Sequence, residues 1–160
     1  CSSDLGTEQD FQGGNDPGNR EDMWIGQIHD PFSTDTPTFK RIQLLAKTRK
    51  QHPALSRGEA MNILWKSDRT ADSDEDANVF AFERLERAND FAGDYALVVI
   101  NANLNGSKSP SFGGQAMVVG APPGTVLHDA LGTIADPITV GNNGEFVVTL
   151  PPSSGAIFVR

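Results

Sequence analysis

The chain has 160 residues, enough for one ordinary domain with a real core, and its 38% apolar content with 16 glycines and 10 prolines favours strands and turns over a helical bundle. A net charge of −8 argues against a nucleic-acid partner, because an acidic surface repels phosphate. The single cysteine, Cys1, excludes an intrachain disulfide and a cysteine-built zinc site, and no apolar run approaches the roughly 18 residues of a membrane-spanning helix.

Residues 1–33 are polar and Gly-rich, with Phe11, Met23, Trp24, Ile25 and Phe32 as scattered apolar anchors. Such a stretch cannot offset its own ordering entropy, and reads as a loop that packs on something else. The start at Cys1 rather than Met, without a charged and apolar leader, reads as a fragment or processed product. It leaves the compartment open.

Residues 36–51 read as a helix. Thr36 suits the N-cap, Pro37 the first helical position, and Phe39, Ile42, Leu45 and Ala46 share one stripe. Lys47, Arg49 and Lys50 complement the helix dipole in the last turn, and Pro53 should stop the element. From Ala54 onward the pattern predicts strands only: 60–65, 79–85, 95–102, 115–119, 125–129, 138–140, 145–150 and 156–159. Short strands separated by Gly, Pro and Asn-Gly turns predict an antiparallel sandwich. Tyr95–Ile100, apolar on both faces, should be central, and Asn143-Gly144 should turn a hairpin between Val140 and Phe146.

Asp72, Asp74, Asp76, Asn78 and Glu83 occupy positions 1, 3, 5, 7 and 12 of a calcium loop. Ala77 stands where that loop turns on Gly, and the flanks read as strand, so a solvated acidic hairpin loop is the expectation and no metal site is assigned. His29, His52 and His128 are scattered without metal-ligand spacing and are expected to be solvated or packed. Ser153-Ser154-Gly155 reads as a turn rather than a nucleophile elbow. In the loop Gly13-Gly14-Asn15-Asp16-Pro17-Gly18-Asn19-Arg20-Glu21, Asp16 offers an acceptor and Arg20 a forked donor. The pair suits vicinal sugar hydroxyls, with Trp24 as a stacking face, or equally a structural ion pair.

Gly6-Thr7-Glu8-Gln9 followed by that loop resembles the segment after the eighth barrel strand in α-amylases of glycoside hydrolase family 13. There the run reads approximately Gly-x-Glu-Gln, a spacer, then Gly-Gly-x-Asp-Pro-x-Asn-Arg-Glu. Asp35 through Leu55, ending in Arg49 and Pro53-Ala54-Leu55, is similar to the family's last barrel helix, and the later strands resemble its C-terminal sandwich. The resemblance covers nearly the whole chain from Gly6. It implies a Greek-key β-sandwich (residues 54–160) preceded by one α-helix and a loop-rich remnant of a (β/α)8 barrel (residues 1–53). It implies substrate contacts through Asp16 and Arg20 in a parent acting on α-1,4-glucans by a retaining mechanism. In the family the catalytic carboxylates lie upstream of the Gly-x-Glu-Gln phrase, so no catalytic residue is assigned and Glu8 and Glu21 are not candidates. No cofactor is expected in this chain, though the parent has room for calcium. Cys1–Leu5 departs from the apolar strand that the family places before the phrase, which leaves a barrel that cannot close. The exposed helix stripe then offers a surface for self-association. A free-standing sugar-binding sandwich and a transglycosylase of the same family remain the other readings.

Overall fold

The computed structural model describes residues 7–10, 15–16, 32–69 and 71–160. The chain divides into two compact units, Cys1–Lys47 and Thr48–Arg160.

In the first unit, a single 3-10 turn covers Thr7–Gln9 and is followed by Asp10 at φ 61°. Helix α1 spans Pro37–Gln51. Thr36 caps it as the sequence predicts: its Oγ1 accepts from the Phe39 amide at 3.2 Å, and its carbonyl accepts from Lys40 at 3.1 Å. The Thr36 hydroxyl donates to the Glu8 carbonyl and the Thr38 hydroxyl to Asp10 Oδ1, so the start of α1 is tied to the Glu-Gln phrase. Ile42 and Leu45 on the apolar stripe are exposed at 47% and 40%.

In the second unit, Pro53 does not only end α1. It opens a short helix α2 (Pro53–Arg57), where its missing amide costs nothing at the first position. The Ala54 amide donates to Asp94 Oδ2 at 2.7 Å, and Arg84 Nε donates back to the Ala54 carbonyl at 2.9 Å. Arg84 Nη2 also donates to the carbonyl of Gly58, just past the helix, at 3.3 Å, so groups near both ends are satisfied from outside it, and Ala54 and Leu55 pack on Ala96 and Val159.

Nine strands follow: β1 (Ala60–Lys66), β2 (Val79–Leu85), β3 (Tyr95–Asn101), β4 (Ser111–Phe112), β5 (Gln115–Val118), β6 (Val126–Asp129), β7 (Ile138–Thr139), β8 (Glu145–Phe146) and β9 (Ser154–Val159). They form a six-stranded sheet in the order β1-β2-β3-β9-β6-β7 and a three-stranded sheet in the order β4-β5-β8. All pairings are antiparallel, and β9 returns to lie between β3 and β6, the crossed connectivity of a Greek-key sandwich. β3 is interior to its sheet, as its double-sided apolar run requires.

The core lies between the sheets. Val79, Ala81, Leu85, Tyr95, Leu97, Val99 and Phe158 face Met117, Val119, Phe146, Val148 and Leu150, and Phe146 meets Phe158 edge-on with ring centroids 4.9 Å apart. The outer face of the large sheet stays apolar beyond α2. Its row Ile63–Phe82–Val98–Ile157 crosses four strands, with Ile63 57% and Met61 53% exposed.

Asn143-Gly144 does form a turn, with Gly144 at φ +84° and its amide on the Gly141 carbonyl at 3.0 Å. The Gly141 amide also donates to the Glu145 carbonyl at 2.9 Å, so the turn closes on one flanking pair, but the strands on either side do not extend it. β7 before it pairs with β6 and β8 after it pairs with β5, so the turn carries the chain from one sheet to the other. Val140 and Phe146 are both buried, and the inter-sheet core, not the local turn, decides their partners. Among the described residues, no helix is long and apolar enough to cross a membrane.

Candidate functional site

The sugar-facing loop expected from the sequence falls mostly outside the described residues, and Arg20 and Trp24 with it. Asp16 is described: it sits in a turn and is exposed. The neighbouring phrase is anchored, since Glu8 and Asp10 both hold the first turn of α1 and Gln9 is buried.

The acidic spacing at 72–83 does not assemble into one site. Glu83 belongs to β2 and points into the sandwich at 2% exposure. There its carboxylate accepts from Tyr95 Oη, the Gly120 amide and Asn62 Nδ2, each at 2.9 Å. A side chain at Gly120 would run into the Phe91 ring at 2.1 Å, so glycine is what lets that amide reach the carboxylate.

The rest of the loop is the solvated stretch that the sequence suggests only in part: Asp72, Ser73 and Glu75 are exposed, whereas Asp76 and Ala77 are buried. Asp76 is fully buried, paired with Arg69 and accepting from Trp65 Nε1 at 3.1 Å. The Arg69 guanidinium also lies 3.7 Å from the centroid of the Phe112 ring. Asp72 Oδ1 accepts from Asn103 Nδ2 at 3.0 Å, and Asn78 adopts φ 66°. The carbonyls of Asp72 and Asp74 both accept from the Lys108 ammonium. The loop is drawn inward because its counter-charges arrive from distant residues. No group of three or more His, Cys, Asp or Glu among the described residues is placed to hold a metal ion.

His52 lies 3.2 Å from Asp94 through Nδ1, His128 is exposed on β6, and His29 lies outside the described residues. Ser153 turns at φ 49° into β9. Asp129 was not singled out by the sequence. Its carboxylate accepts four backbone amides, those of Leu131, Thr133, Ile134 and Ile157, and fixes the loop after β6 to β9. An Asp ending a strand before a Gly-containing turn was the only local signal.

Tyr95, the sole tyrosine of the chain, is fully buried. Burial first, and then the negative charge of Glu83, pushes its phenol well above the ordinary range. The raised folded value makes the phenol's contribution complete below the unfolded pKa of about 10, and it is lost as pH rises beyond that. Alkaline titration should therefore show tyrosinate absorbance only together with loss of circular dichroism. Ionisation near pH 10 in an intact fold would contradict the buried Tyr95–Glu83 bond.

The class that the fold itself defines is a mainly antiparallel β protein, a Greek-key sandwich with a helix-containing unit before it in the chain. No family model matches the chain. Among individual relatives, the β/α-amylase of Paenibacillus polymyxa is 31% identical over 155 residues, 97% of this chain and 10% of its own length. The cyclomaltodextrin glucanotransferase of Bacillus sp. (strain 38-2) is 33% identical over 96% of this chain and 18% of its own. The α-amylase of Niallia circulans is 33% identical over 87% of this chain and 22% of its own. Among solved structures, the γ-cyclomaltodextrin glucanotransferase of alkalophilic Bacillus clarkii superposes with TM-score 0.67 at 28% identity, covering 98% of this chain and 20% of that one. Over nearly its whole length the chain is similar to one part of α-amylase-type enzymes and cyclomaltodextrin glucanotransferases. It spans a tenth to about a fifth of the length of these relatives.

Proposed function

We propose that this chain supplies the end of the catalytic barrel and the following sandwich of an enzyme that acts on α-1,4-glucans with retention, and that the bond-breaking carboxylates come from sequence upstream of Gly6. The observation that carries this reading is the alignment of nearly the whole chain with only a tenth to a fifth of each relative. The exposed stripe of α1 and the open apolar face of the large sheet also support it, since both are surfaces made to be covered. In isolation, the α1 stripe is the surface through which copies would associate. Asp16 and Arg20 are assigned to glucose units of the bound glucan, a carboxylate and a guanidinium that fit neighbouring hydroxyls. On a loop without its supporting barrel their geometry is unset, so the isolated chain should neither cleave nor grip the substrate.

The expected result is no release of reducing ends from soluble starch by the 160-residue chain, and no calorimetric heat with maltooligosaccharides. Starch hydrolysis above a blank would overturn the upstream assignment of the carboxylates. Saturable binding that needs Asp16 and Arg20 would favour a free-standing sugar-binding module. A transglycosylase parent has its own support, because several of the relatives and two of the similar solved structures are cyclomaltodextrin glucanotransferases. Chromatography of the products of the full-length enzyme on starch separates the two: linear oligosaccharides for hydrolysis, cyclic ones for transfer.

A further inference from the structure

We propose that the Lys108 ammonium is the internal cation around which loop 71–78 is folded, and that removing it uncovers an oxygen-lined site for a hard divalent cation. The loop carries Asp72, Asp74 and Asp76 at alternate positions. Lys108, only 7% exposed, donates from Nζ to the Asp72 carbonyl and, at 2.7 Å, to the Asp74 carbonyl. Two backbone carbonyls two residues apart, converging on one point charge inside an acidic loop, are the kind of oxygen donors that calcium takes. An ammonium is a compact charge with three donors and can occupy the same place.

The ammonium is delivered from a fixed support. The Lys108 amide donates to Leu150 at 3.0 Å and the Leu150 amide donates back at 2.8 Å. Asp72 is held from the same side by Asn103, 2% exposed, whose own amide is fixed on Asn101 Oδ1 at 2.9 Å. A second observation lies in the same loop: Asp76 Oδ1 is fully buried and has no hydrogen-bond partner among the described residues, while its other oxygen accepts from Arg69 and Trp65. The consequence of the loop's shape reaches the second sheet. The Glu75 carboxylate accepts from Ser111 Oγ and the Gly113 amide, and the Glu75 carbonyl accepts from Ser109. A tethered cation cannot be stripped by a chelator, so the junction of the two sheets holds its shape without metal.

The test compares the 160-residue chain with Lys108→Met, using thermal melts in EDTA or millimolar calcium and terbium luminescence excited through tryptophan. Trp65 is the natural antenna, its Nε1 lying 3.1 Å from Asp76 Oδ2. The unaltered chain should melt at the same temperature in both buffers and give no terbium signal. K108M should melt about 5–10 °C lower in EDTA, recover at least half of that loss in calcium, and show saturable terbium emission that W65F abolishes. K108M destabilised to the same extent in both buffers, without terbium emission, would show that the loop needs the ammonium's hydrogen bonds and not its charge, and overturns the proposal. So does a calcium or terbium response of the unaltered chain. If K108M does not fold, Lys108→Gln, similar in shape and uncharged, takes its place, and failure of K108Q to fold even in calcium counts against the proposal.

Discussion

Replacing Phe158 with alanine is expected to cost about 3–5 kcal/mol, a large part of the stability of a domain this size. The ring is fully buried on β9 and meets Phe146 from the other sheet at a tilt of 70°. Removing it discards the transfer energy of a large side chain and leaves a hole between two rigid sheets that cannot close over it. F158L, which keeps most of the volume, should lose less than about half as much. Urea unfolding of both variants checks this: the midpoint should fall at constant slope. A loss below about 1 kcal/mol for F158A would mean that the two sheets do not share this core.

Arg69→Met is expected to cost about 3 kcal/mol although its guanidinium is a third exposed, because the damage falls on its partner. Asp76 is fully buried, and with Arg69 gone its carboxylate keeps, among the described residues, the Trp65 indole as its hydrogen-bond donor. Burying an unpaired charge is the expensive outcome, not the loss of a surface cation. In the double variant R69M/D76N the amide still accepts from Trp65 and carries no charge. Its cost should therefore be clearly smaller than the sum of the two single changes. Urea midpoints of the four proteins close the cycle, and strict additivity would refute the pairing.

The two misreadings in the sequence share a cause with these effects. Local signals were sufficient where the determinants are local. Thr36 and Pro37 mark the start of α1, and the apolar residues from Val79 to Leu85 mark the span of β2. They failed where the determinant is far along the chain. The acidic stretch around Asp74 looks solvated because Lys108, whose ammonium reaches its carbonyl, lies 34 residues away. Asn143-Gly144 turns the chain tightly but looks like a longer hairpin than it is, because nothing nearby says that β7 will pair with β6 and β8 with β5. β4 was missed because two residues carry no period. The candidate sugar contacts were legible in another way. Composition left Asp16 and Arg20 between an ion pair and a hydroxyl clamp, and only the resemblance of the surrounding phrase favoured the second.

The position of β9 has a consequence for how the domain is made. Residues 154–159 leave the ribosome after β1–β8, yet they pair with both β3 and β6. Until they emerge, β1–β2–β3 and β6–β7 are two separate pieces with open edges, and no shorter chain can complete the large sheet. Synthesis therefore holds the domain in an unfinished, edge-exposed state until β9 arrives, and the contacts that join β9 to β3 span more than fifty residues of chain.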